Sequence, residues 1–205
     1  MGFMVSQRGI EVNLEKVKAI LNMTSPKTIK EVQKLTGRIA ALNRFVSKVT
    51  DKYLPFFKTL KQAFAWTDKC EAAFQELKRY LSNPPLLSPS KEGENLYLYL
   101  AISATAGSAT LIREEGKTQL PVYYVNQAFQ GGKAKYPRIE KIAFALIVAS
   151  RKLRLYFQAN PISVMTDQPI KKSINKPEAA GRMVQWAIEL SQFDIEYHLK
   201  TAIKA

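Results

Sequence analysis

The chain has 205 residues and a net charge of +14, from 31 Lys and Arg against 17 Asp and Glu. That length holds one large domain or two small ones, and ten Phe, nine Tyr and two Trp argue against disorder. One cysteine, Cys70, and one histidine, His198, exclude an internal disulfide, a cysteine-rich zinc site and a histidine-based triad.

Phe3 to Ser6 and Gly9 to Val12 predict a short hairpin around Gln7-Arg8, with Gly9 supplying a positive φ. Asn13 caps a helix with Val17, Ile20 and Leu21 on one face. Thr28 and Glu31 make a capping box for a second helix through Val32, Leu35, Ile39, Leu42 and Val46. Gly37 lies inside it at a cost of about 1 kcal/mol relative to Ala, which predicts close packing or backbone contact there. Asp68 with Glu71 predicts a second box, and Ala73, Phe74, Leu77, Tyr80 and Leu81 line the helix that follows. Residues 83–94, with three prolines and a glycine, read as a linker. The period then becomes strand-like. Strands are expected at Leu96–Ile102, Ala109–Arg113 and Pro121–Ala128, with Glu114 to Lys117 as the turn between the last two. A long helix over 138–156 follows, then a strand from Ile162 to Met165. Helices near Ile170–Ile174 and Ala179–Leu190 precede a last strand, Phe193 to Leu199.

The resulting class is α/β. A small, mostly helical region over 1–82 precedes a five-stranded mixed sheet flanked by helices over 95–205. The order β-β-β-α-β-α-β, with Asp167 closing the fourth strand, resembles the ribonuclease H fold. Three further stretches carry a closer resemblance. They are Lys27 to Arg38, Phe64 to Asp68 with Ala73 to Lys78 and Pro84 to Leu87, and Lys135-Tyr136 through Arg154 to Phe157. Together they resemble the Pol polyprotein of gypsy-type LTR retrotransposons, in a plant-type lineage: the hairpin that ends the reverse transcriptase palm, the thumb, then the RNase H-like domain. The resemblance implies the remaining Pol domains as partners. It places the polymerase aspartates outside this stretch, where no YxDD-type segment occurs.

Phosphodiester hydrolysis on this fold needs two divalent metals held by converging carboxylates. The resemblance puts the first acid at Ala101 and the second at Ile142. Glu140 sits two helical positions earlier, a rotation of about 200° that turns it away. The third acid matches Asp167, and the fourth falls beyond Ala205. Asp167 is therefore read either as a metal ligand or as a cap for the helix begun by Pro169, the only metal candidate being Mg²⁺ as in active family members. Such a degenerate domain is expected to act as a connection, with no cofactor of its own; the alternative is an active Mg²⁺-dependent ribonuclease H cleaving RNA in RNA/DNA hybrids.

About +8 of the net charge falls in residues 1–90 and about +6 in the remainder, a distribution suited to a polyanion. Lys27, Lys30, Gln33, Lys34, Gly37 and Arg38 on the second helix are read as contacts to a template–primer, an RNA/DNA hybrid or a DNA duplex. The resemblance adds Gln7 and Arg8 at the hairpin. Arg151, Lys152 and Arg154 are read as hybrid contacts along the long helix. A solvated polar face is the plainer reading for each. Trp66 either stacks on a base or staples a helix. No apolar run nears about 18 residues and no signal peptide is evident, so the expectation is an intracellular protein, in a cytoplasmic particle or the nucleus, without membrane contact. The abrupt ends suggest a piece of something longer.

Overall fold

The computed structural model describes residues 3–6, 9–46, 52–60, 64–174 and 181–199. They fall into two compact units, Met1–Ser88 and Pro89–Ala205.

In the first unit β1 (Phe3–Ser6) and β2 (Gly9–Val12) form the expected antiparallel hairpin. Gly9 takes φ +136°, and a Cβ there would meet the Leu87 carbonyl oxygen at 2.5 Å, so both conformation and space demand glycine. Asn13 Oδ1 accepts from Glu15 N and Lys16 N and starts α1 (Leu14–Leu21). α2 (Ile29–Ala41) opens with Glu31 N donating to Thr28 Oγ1 at 3.3 Å. The return bond runs from Lys27 N to the Glu31 carboxylate at 2.6 Å, one residue earlier than a standard box.

The second helix is shorter than its periodicity predicts. Leu42 leaves α geometry at φ −103° and a 3-10 turn follows at Asn43–Phe45, yet Leu42, Phe45 and Val46 stay buried, so the apolar spacing outlasts the helix. After α3 (Leu54–Thr59), the cap of α4 (Asp68–Ser82) is Thr67 rather than Asp68: Thr67 Oγ1 accepts from Cys70 N at 3.3 Å. Asp68 is already helical, and two adjacent oxygen-bearing residues compete for one role. Trp66 takes the staple role. It stacks on Phe56 at 5.6 Å and donates from Nε1 to Glu71 Oε2 at 2.7 Å.

The stretch expected as a linker is fastened at both ends. Leu87 is fully buried and exchanges two backbone hydrogen bonds with Ile10. Gly93 N donates to the Ala159 carbonyl, and the Glu94 carboxylate accepts from Arg113 Nε at 3.0 Å.

The second unit is a five-stranded sheet in the order β5-β4-β3-β6-β7. β3 (Leu96–Ile102), β4 (Ala106–Glu115) and β5 (Thr118–Ala128) are antiparallel, while β6 (Ile162–Thr166) runs parallel to β3, and β7 (Ile195–Leu199) parallel to β6. β4 and β5 extend past their apolar cores to the turn at Gly116 (φ +64°), because backbone pairing continues where side chains are polar. Pro121 is accommodated on the edge strand beside a register shift.

The expected long helix is two: α5 (Arg138–Lys152) and α6 (Arg154–Ala159), separated at Leu153 (φ −108°, ψ 25°). Leu153 and Phe157 are both buried, so the apolar pattern crosses the break. α7 (Ile170–Ile174) and α8 (Gly181–Leu190) complete the unit; the predicted start of α8 at Ala179 lies outside the described residues. α5 packs on β3, β4, β5 and α8, and Gly107 of β4 lets it approach: a Cβ there would sit 3.0 Å from Ala145 Cβ.

Candidate nucleic-acid interface

In the first unit the polar face of α2 is laid out as its periodicity implies. Lys27, Lys30, Gln33 and Lys34 are exposed, while Val32, Leu35 and Ile39 are buried. Gly37 is exposed and nothing lies within 4 Å of where its Cβ would be. No internal packing accounts for the glycine, and its backbone stands open to approach from outside. It lines a groove of about 390 Å³ between α1 and α2 together with Glu15, Lys16, Ala19, Lys34, Arg38 and Ala41. Arg38 is committed inward, its Nη1 donating to the Ala19 carbonyl in the last turns of α1. Gln7 and Arg8 lie outside the described residues.

In the second unit the carboxylate of Asp167 follows β6, and Ala101 lies near the end of β3. The parallel pairing of β3 with β6 ends at Tyr99 with Met165, and Ala101 and Asp167 each lie two residues beyond that last pair, near the carboxyl ends of neighbouring strands. Asp167 is engaged by Arg138, whose Nη2 donates to Asp167 Oδ2 at 2.8 Å. Ahead of the helix that follows, Thr166 Oγ1 accepts from Gln168 N at 3.3 Å.

Ile142 is 2% exposed and belongs to the core between α5 and the sheet. An acid at that position would have to ionise in apolar surroundings. Glu140 points to α8, where Arg182 Nη1 lies 3.3 Å from its Oε2. Among the described residues no three His, Cys, Asp or Glu side chains converge as a metal donor set. Ala101, Ile142 and an ion-paired Asp167 do not fit a two-metal centre.

Further along α5, the side chains expected on a hybrid are partly spoken for. Arg151 makes a bidentate pair with Glu189 of α8, at 2.7 and 2.8 Å. That hydrogen bonding holds the Glu189 carboxyl below its usual range against a smaller opposing effect of burial. Lys152 and Arg154 are exposed, with Arg154 on α6 beyond the break.

Residues 66–164 match the family of RNase H-like domains found in reverse transcriptase. Over 203 residues the chain is 25% identical to the retrovirus-related Pol polyprotein from transposon 297 of Drosophila melanogaster, covering 96% of this chain and 19% of that protein. The transposon Tf2-3 polyprotein of Schizosaccharomyces pombe is 24% identical over 208 residues, covering 98% of this chain and 16% of the relative. The chain thus spans less than a fifth of the length of these curated relatives.

Among solved structures, the foamy viral protease-reverse transcriptase in complex with RNA/DNA hybrid superposes with a TM-score of 0.81 at 22% identity, over all of this chain and 29% of that one. The same enzyme's dRH form in complex with double-stranded DNA gives 0.80 at 21%, over all of this chain and 38% of the other. The fold is that of a small helical region followed by an RNase H-like mixed sheet, and the chain is similar to Pol-like reverse transcriptase–RNase H segments of retrotransposons and retroviruses.

The RNase H-like unit also holds functional candidates that sequence reading passed over. Arg138 and Lys141 stand in the first turn of α5, and Lys133 and Lys135 in the 3-10 turn before it (Gly131–Lys135). The signal was present as four cations in nine residues.

No described helix is long and apolar enough to cross a membrane.

Proposed function

We propose that this chain is a nucleic-acid-holding segment of a gypsy-type retrotransposon Pol polyprotein: a thumb-like helical unit joined to an RNase H-like unit that serves as a connection rather than a nuclease. The motif order from Lys27 to Asp167 supports the gypsy-type placement, and the lost acids support a lineage of the plant type. The carrying observation is the pairing of an engaged, isolated Asp167 with Ala101 and a sealed Ile142. Carboxylates that bring Mg²⁺ to a scissile phosphate are replaced by groups unable to hold it.

Binding rests on different residues. Lys27, just ahead of α2, and Lys30 and Lys34 on it form a row whose ammonium groups pair with no acid among the described residues, beside a glycine open to a backbone. Such a row suits phosphates spaced along a strand. The complexes of the foamy viral enzyme with hybrid and with double-stranded DNA support the same partner class for this fold. The remaining Pol domains would supply polymerisation and cleavage.

Duplex binding measured against salt, alongside a hybrid-cleavage assay in Mg²⁺ or Mn²⁺, tests this reading. The expected result is affinity for an RNA/DNA hybrid that falls steeply with salt, and no cleavage. Cleavage that disappears in Asp167→Asn would establish a ribonuclease H and overturn the connection role. Affinity that ignores salt would overturn the binding role.

A further inference from the structure

At the corner where β3 and β6 end, two cations stand where a nuclease would gather acids and metal. Arg138 Nη2 donates to Asp167 Oδ2 at 2.8 Å, at the end of β6. Lys141 Nζ donates to the Ala104 carbonyl at 3.1 Å, in the turn that leaves β3. The two are three residues apart on α5, hence neighbours on one helical face. They flank the strand ends that the sheet register sets side by side.

The Arg138 side chain is 60% exposed despite its ion pair, so most of its guanidinium remains available. Of five N–H donors, one is used on Asp167. Lys141 is half-buried and spends one of three donors on a neutral carbonyl, which fixes its direction without cancelling its charge. Among the described residues the acid at the corner is Asp167, since Glu140 is paired with Arg182. The balance of Asp167, Arg138 and Lys141 is therefore positive.

We propose that this corner binds a phosphodiester of a nucleic-acid strand directly through Arg138 and Lys141, the fixed cations taking the charge-neutralising place of divalent metal. Asp167 orients Arg138 and tempers its charge. The phosphate is held at the old catalytic position with no carboxylate pair to activate water against it. The inference rests on the duplex-binding reading above and names a second contact region for it, in the RNase H-like unit.

The test uses the whole chain and a short RNA/DNA hybrid, with affinity followed against salt in EDTA and again in Mg²⁺. The double variant Arg138→Gln/Lys141→Gln is expected to bind roughly 10-fold or more weakly, with a salt slope lower by about 1.8. Both positions are at the surface, and an unchanged melting temperature confirms the fold. Asp167→Asn is expected to bind a few-fold more tightly, equally in EDTA and Mg²⁺, because a negative charge is removed beside the phosphate. Unchanged affinity in the double variant, or Asp167→Asn weakening the complex or acting only with Mg²⁺, overturns the proposal. Displacement of the hybrid by inorganic phosphate at matched ionic strength also overturns it, in favour of a free-phosphate site. Absence of hybrid binding by the unaltered chain is a separate result: it removes the duplex reading itself.

Discussion

The cations of the two units are deployed in opposite ways. At the start and along α2 of the first unit, the ammonium groups of Lys27, Lys30 and Lys34 pair with no acid among the described residues, and the backbone at Gly37 is open beside them. In the second unit nearly every informative arginine is engaged: Arg113 with Glu94, Arg138 with Asp167, Arg151 with Glu189 and Arg182 with Glu140. The contrast separates two uses of one charge. Unengaged lysines keep their full attraction for a polyanion, whereas an arginine locked to a carboxylate spends much of its charge on that partner, and of these four Arg138, 60% exposed, keeps the most of its guanidinium open. A basic composition therefore says little until each cation's partner is known.

The sharpest way to break this comparison is to remove the α2 row. The triple substitution of Lys27, Lys30 and Lys34 by Ala is expected to lower duplex affinity on the order of 10²-fold and the salt slope by about 2.7. Stability should move by less than about 0.5 kcal/mol, because these are surface positions without structural partners. Fluorescence anisotropy across a salt series, with a denaturant melt on the same samples, checks both halves. A large loss of stability would mean the lysines are structural after all.

Arg113 should behave in the reverse manner. Its side chain is 7% exposed and faces Glu94 (18% exposed) across 3.0 Å, so Arg113→Ala leaves a largely buried carboxylate short of a partner. Breaking a buried pair costs about 3–5 kcal/mol. Here the loss should be smaller, about 2 kcal/mol, since Lys91 N still donates to Glu94 Oε1. Urea unfolding is expected to show that loss in the second unit, with the salt slope of duplex binding unaltered.

This division also explains what could be read from the sequence. Elements whose apolar spacing repeats were legible: the hairpin, the Asn13 and Thr28 caps, and the core of every strand. Boundaries failed where burial continued through a change of backbone, at Leu42 and Leu153, since periodicity reports facing and not hydrogen bonding. At the candidate site, Asp167, Ala101 and Ile142 were visible because a strand-end acid and its absent companions are local facts. Arg138 was not, because its ion pair joins residues 29 positions apart. For the same reason the partners of Arg151 and Arg38 do not show in the sequence: Glu189 and the Ala19 carbonyl are brought to them only by folding.

The smallest expected effect is at the seam between α5 and α8, and its sign follows from linkage. Hydrogen bonding from Arg151 holds the Glu189 carboxyl below its usual range, overcoming the opposing push of burial. A carboxyl whose folded value is depressed contributes stability that is fully present above its unfolded value, about 4.3. That contribution is lost as pH falls through the lower folded value. Arg151 is 58% exposed and Glu189 28%, so solvent screens the pair and the contribution at neutral pH should be about 0.5 kcal/mol. Arg151→Gln should therefore lower stability slightly at pH 7. The deficit should shrink as pH falls below about 4, where Glu189 protonates in both proteins. Thermal melts of the two proteins from neutral to acid pH would show the curves converging. If they stay parallel, Glu189 is not what Arg151 stabilises, and the guanidinium belongs with the unengaged lysines of α2 as a phosphate contact.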